Sequence, residues 1–84
     1  MTNAETLAVM DWVHKNPEIE KNMLSIYQQL PNREQSSTEI EIEWNKWVGN
    51  QEIRHRLAIS QSVGSQWRIN WNEIADMLDK ENHA

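Results

Sequence analysis

Eighty-four residues with no cysteine and a formal net charge of −5 describe one small domain that uses neither disulfides nor thiolate metal sites. The acidic balance opposes simple binding to a polyanion such as DNA, where Lys and Arg must displace counterions. Five Trp in a chain without Phe are the natural source of a core, since each can bury about 150–250 Å² in a chain that hides only about 60–65% of its unfolded surface.

In chain order, Thr2 and Glu5 have the spacing of a capping box, which predicts a first helix from near Asn3. Leu7, Val9, Met10, Trp12 and Val13 cover most of its surface and leave Asp11 and Lys15 as the wet strip. A helix so widely apolar is either well buried or shared with a partner. Asn16-Pro17 ends it and begins the next, because the residue before Pro avoids the α region while Pro suits the first helical position. Ile19, Met23, Ile26, Tyr27 and Leu30 form the stripe of the second helix, and Leu30-Pro31-Asn32 stops it. A link this short predicts an antiparallel helical hairpin over residues 1–30.

Residues 31–37 read as a polar loop. The segment that follows has two periods. As a helix, Ile40, Trp44, Trp47 and Val48 fall on one stripe; as a strand, Ile40, Ile42 and Trp44 alternate with Glu39, Glu41 and Glu43. Capping-box spacings at Ser36/Glu39 and Thr38/Glu41 favour helix. Gly49-Asn50 reads as a stop followed by a cap. The expectation is that this break turns Ile53 and Leu57 inward on a short helix of about residues 51–59, with a loop over 60–66. Trp67, Ile69 and Trp71 then alternate with Arg68 and Asn70. Asn70 with Glu73 opens the last helix, whose stripe is Trp71, Ile74, Ala75 and Leu78, and residues 81–84 are expected to fray.

The fold expected is all-α: one domain, 1–84, with the hairpin followed by a Trp-rich part over 36–80, four or five short helices in all. The alternative adds one two-stranded ribbon pairing 38–44 with 66–71.

Motifs for chemistry are sparse. Glu52-x-x-His55 is half of a di-iron motif whose second copy is missing, and Arg54 and Arg56 beside it oppose a cation. His14 and His83 lie near element ends and read as surface residues. There is no nucleophile elbow and no phosphate-cradling glycine loop. No enzyme activity, cofactor or metal is expected.

Two patches are candidates for binding. The acidic one is Glu39, Glu41 and Glu43 with Asp76 and Asp79; in the strand reading its three Glu share a face. The other is Arg54, Arg56 and Arg68 with Trp67, a locally basic and aromatic spot in an acidic chain; Arg with Trp is a common interface anchor pair. The bland reading of both is a solvated surface. The function expected is a small acidic protein-binding module, an inhibitor or adaptor that occupies a surface, basic in charge, on a larger protein. Phage inhibitors that offer carboxylates to host nucleic-acid machinery are one such type. The alternative is a nucleic-acid-binding accessory working through the Arg/Trp spot, as a homodimer or alone. No stretch approaches the roughly 20 apolar residues of a membrane span, and residues 1–15 lack the pattern of a secretion signal. The expected setting is the cytoplasm, without membrane contact.

Overall fold

A computed structural model describes residues 2–30 and 32–82, Asn82 by its backbone alone; Pro31 of the expected stop and His83 lie outside the described residues. Five α-helices follow one another: α1 (Ala4–Lys15), α2 (Pro17–Gln29), α3 (Arg33–Gly49), α4 (Ile53–Val63) and α5 (Trp71–Asn82), with a 3₁₀ turn at Gln66–Arg68 before the last. The described residues contain no strand.

Most boundaries follow from local chemistry. Asn3 caps α1 by accepting from the Thr6 amide at 2.9 Å. Asn16 is the whole link to α2: its Nδ2 donates to the Trp12 carbonyl at 2.7 Å, while its own carbonyl accepts from the Ile19 and Glu20 amides. Asn70 caps α5 by accepting from the Glu73 amide at 3.1 Å. Of the residues expected to fray, 81 and 82 are helical, since α5 continues through Asn82, and 83 and 84 lie outside the described residues.

The 38–44/66–71 ribbon is not formed, and the polar loop over 31–37 is mostly helix. Asn32 is the cause at the near end: its side chain accepts from the Glu34 and Gln35 amides at 2.9 and 3.3 Å and starts α3 at Arg33, three residues before Ser36. Ser36 and Ser37 are buried without penalty because their hydroxyls donate to the Arg33 and Glu34 carbonyls. Packing is the cause at the far end. A helix puts Ile40, Trp44 and Trp47 on one stripe, and all three are buried. A strand over 38–44 would have buried Ile42, which instead is exposed. Each buried Trp contributes up to about 4–6 kcal/mol by apolar area.

α3 packs chiefly on α2 and α5, so its stripe is covered from two sides. Val9, Met10 and Val13 of α1, Ile19 and Met23 of α2, Ile59 and Val63 of α4, and Ile74, Ala75 and Leu78 of α5 complete the core with Ile69. Trp44 is its aromatic centre, with ring centroids 5.4 Å from Trp47 and 6.5 Å from Trp71.

The expected inward turn of Ile53 and Leu57 is reversed. Both are more than half exposed, whereas His55, Ile59 and Val63 face the core or its edge. The helix runs on to Val63, beyond residue 59, and that decides the phase. Positions 55, 59 and 63 share a face, and at about 100° per residue neither 53 nor 57 can join it. Gly49 also does not stop α3 with a left-handed turn: it is the last helical residue, and Asn50 caps the helix in the right-handed region.

Candidate functional site

The acidic residues singled out from the sequence do not form one surface. Glu39 lies beside Leu30, Glu34, Gln35 and Thr38, on the α2 side of α3. Glu41 lies on the other side, in a cleft with Trp44, Asn45, Gln66, Ile69 and Trp71. Glu43 is half-buried and accepts from Asn22 Nδ2 at 3.1 Å, which ties α3 to α2. Asp76 is ion-paired with Arg33, and Asp79 accepts a hydrogen bond from the Tyr27 hydroxyl. Both join α5 to the α2–α3 region. The Tyr27 pKa is raised above its ordinary value, first by this hydrogen bond, then by burial and by the Asp79 charge.

The second set is divided between α4, which carries Arg54 and Arg56, and the later 3₁₀ turn, which carries Trp67 and Arg68. On α4, Ile53 and Leu57 form an outward stripe 62% and 57% exposed. Arg54 and Arg56 project to either side of it, because residues two apart on a helix diverge by about 200°. Both Arg are exposed, and neither has an ion-pair partner among the described residues. Four residues past the end of α4 comes Trp67, 96% exposed. The other four Trp are at least partly buried.

Trp67 is presented on an anchored turn. Asn3 uses its Oδ1 to cap α1 and its Nδ2 to donate to the Arg68 carbonyl. The Asn70 amide donates to Thr6 Oγ1 at 2.9 Å. Arg68 Nε lies 3.9 Å from a Glu5 carboxylate oxygen, a loose pair between an exposed Arg and a half-buried Glu. Thus the first turn of α1 holds residues 68–70 while the indole between Gln66 and Arg68 stays in solvent. Gly64, with φ +84°, makes the turn out of α4 that brings the chain there.

No protein-family model, curated protein or solved structure matches this chain. Its surface chemistry therefore carries the functional argument.

His55 has a structural role. Its ring sits 5.5 Å from Trp12 and 6.2 Å from Trp47 by centroids, edge-on to both, and Nδ1 is hydrogen-bonded with Gln51 Oε1 at 3.0 Å. Glu52, the other half of the apparent Glu-x-x-His motif, occupies the N-cap position of α4. The grip of Asn3 and Thr6 on residues 68–70 leaves no local signal in the sequence, because those contacts span more than sixty positions. The exposure of Ile53 and Leu57 was legible in helical phase once Val63 was counted within α4. No helix among the described residues is long and apolar enough to cross a membrane.

Proposed function

We propose that this protein is a non-enzymatic protein-binding module, an inhibitor or adaptor, that engages an acidic surface on a larger protein through Trp67 and the outward face of α4. The observation that carries this reading is the nearly complete exposure of Trp67 on a turn anchored by α1. A solvent-exposed indole buries its apolar area only on association, at about 25 cal/mol/Å² before the costs of binding. Trp and Arg are the residues most often found as interface anchors. Arg54 and Arg56, with no ion-pair partner among the described residues and flanking an apolar stripe, suit carboxylates at the rim of such a contact.

Compared with the acidic-patch reading, this one uses side chains that the fold leaves uncommitted. Asp76, Asp79 and Glu43 have partners within the molecule, which leaves Glu39 and Glu41 as the uncommitted part of that patch. The net charge of −5 opposes an extended polyanion such as nucleic acid more than a limited acidic patch, since every further phosphate contact must be made against that field.

The test is an ordering of variants in affinity capture from the native cell, each checked for an unchanged helical spectrum. Trp67→Ala and the pair Arg54→Glu/Arg56→Glu should lose the captured protein, while Glu39→Lys/Glu41→Lys should keep it. The reverse order would return the working surface to the acidic side. Salt-dependent binding of duplex DNA that disappears in the Arg pair would replace the protein partner with nucleic acid.

A further inference from the structure

We propose that His14, Glu20 and Glu81 form a binding site for a borderline divalent cation of the zinc class, at the end of the molecule where three helices meet. His14 is in the last turn of α1, Glu20 in the first turn of α2, and Glu81 in the last turn of α5. The one-residue link at Asn16 folds the chain so that His14 and Glu20 face each other, with His14 Nε2 3.9 Å from Glu20 Oε2. Glu81 arrives from 67 positions away and is hydrogen-bonded to the same Nε2. One donor atom from each residue lies within 4.8 Å of the other two.

This convergence is close to what a metal requires. Zinc binds imidazole nitrogen and carboxylate oxygen at about 2.0–2.2 Å, which sets tetrahedral donors roughly 3.3–3.6 Å apart. The ion would replace the His14–Glu81 hydrogen bond, with small side-chain rotations opening that pair and drawing Glu20 and Glu81 together; all three side chains are at least partly solvated, so water can fill the fourth position. The charge also fits. Two carboxylates face one imidazole; a protonated His14 offsets only one of them, and Glu20 has no nearer partner among the described residues. A dication compensates both. One nitrogen with two oxygens selects a borderline ion, whereas Mg²⁺ and Ca²⁺ prefer oxygen ligands alone. Because the ligands come from α1, α2 and α5, the ion would fasten the end of α5 to the α1–α2 junction and raise the folding stability by linkage.

The experiment uses the full chain without an affinity tag, treated with chelator and then titrated with Zn²⁺ near neutral pH by calorimetry, with thermal melts in parallel. One equivalent should bind, raise the melting temperature, and be reversed by EDTA; Mg²⁺ at the same concentration should do neither. His14→Ala and Glu81→Gln should each weaken Zn²⁺ binding at least about tenfold, a loss seen even when only an outer-shell partner of a metal ligand is removed. Glu20→Gln is the decisive variant, because it removes a ligand and leaves the His14–Glu81 hydrogen bond in place. It should weaken binding comparably, while His55→Gln should not. Absence of Zn²⁺ binding would overturn the site, as would binding that survives both His14→Ala and Glu20→Gln. Zn²⁺ affinity lost in His14→Ala but unchanged in Glu20→Gln would overturn it as a three-ligand site.

Discussion

Helices α3 and α4 carry similar apolar residues and bury them very differently. On α3, Ile40, Trp44 and Trp47 are 0%, 3% and 9% exposed, against 43% for Ile42; on α4, Ile59 and Val63 are 2% and 6% exposed, but Ile53 and Leu57 are 62% and 57% exposed. α3 lies between α2 and α5, whereas α4 packs mainly on α1 with a lesser contact to α3. One helix therefore has partners on two sides and the other is covered along a single face. How many faces are covered, more than how many apolar residues a helix carries, decides what is core and what is left available for a partner.

The largest expected effect breaks the α3 side of this comparison. Trp44→Ala removes the aromatic centre and should cost roughly 3–5 kcal/mol, enough to leave so small a domain marginal in urea denaturation. Leu57→Ser, an apolar deletion on α4, should stay within about 0.5 kcal/mol by the same measurement. A cost above about 2 kcal/mol, the range of core truncations, would show that Leu57 is core after all.

The glycines at the ends of the same two helices sharpen the contrast at the level of backbone. Gly64, after α4, has φ +84° and ψ −136°, a conformation nearly closed to other residues; an added Cβ would meet only Glu5 Cγ at 3.8 Å, so the backbone alone opposes it. Gly64→Ala should destabilise by about 1–3 kcal/mol. Gly49, at the end of α3, is helical with open space around it, and Gly49→Ala should stabilise by about 0.5–1 kcal/mol. Opposite signs in paired thermal melts are the expected result.

The smallest effect tests one of the links that bring α5 to α2 beside α3. Tyr27 is the sole tyrosine, so tyrosinate absorbance reports it alone. The hydrogen bond to Asp79, burial and the Asp79 charge raise its pKa above the ordinary 10.0. The folded state therefore holds the proton longer than the unfolded chain. The stabilisation is fully present below about pH 10 and is lost as pH rises through the folded midpoint. Asp79→Ala should move the midpoint back toward the ordinary value; an unchanged midpoint would remove Asp79 as the cause.

The all-helical class, the stripes of α2 and α5, the break at Asn16-Pro17 and the cap at Asn70 were legible in the sequence, because each depends on residues within about four positions of one another. The start of α3 was legible too, in Asn32 and Gln35 at capping-box spacing, a signal overshadowed by the Ser and Thr after it. Tertiary structure decided the rest. Residues 39–44 satisfy two periods, and only the burial of Trp47 with Ile40 and Trp44 between two neighbouring helices selects the helical one. Asn70 and Glu73 form half a capping box: Thr6 of α1 occupies the Asn70 amide, and Glu73 Oε2 is left buried with no partner among the described residues. The candidate sites divide in the same way. The residue types at Arg54, Arg56 and Trp67 were visible, but their exposure depends on which faces α1 covers. The meeting of His14, Glu20 and Glu81 depends on where α5 ends against α1 and α2, and helical periodicity contains no information about a distance between residues 67 positions apart.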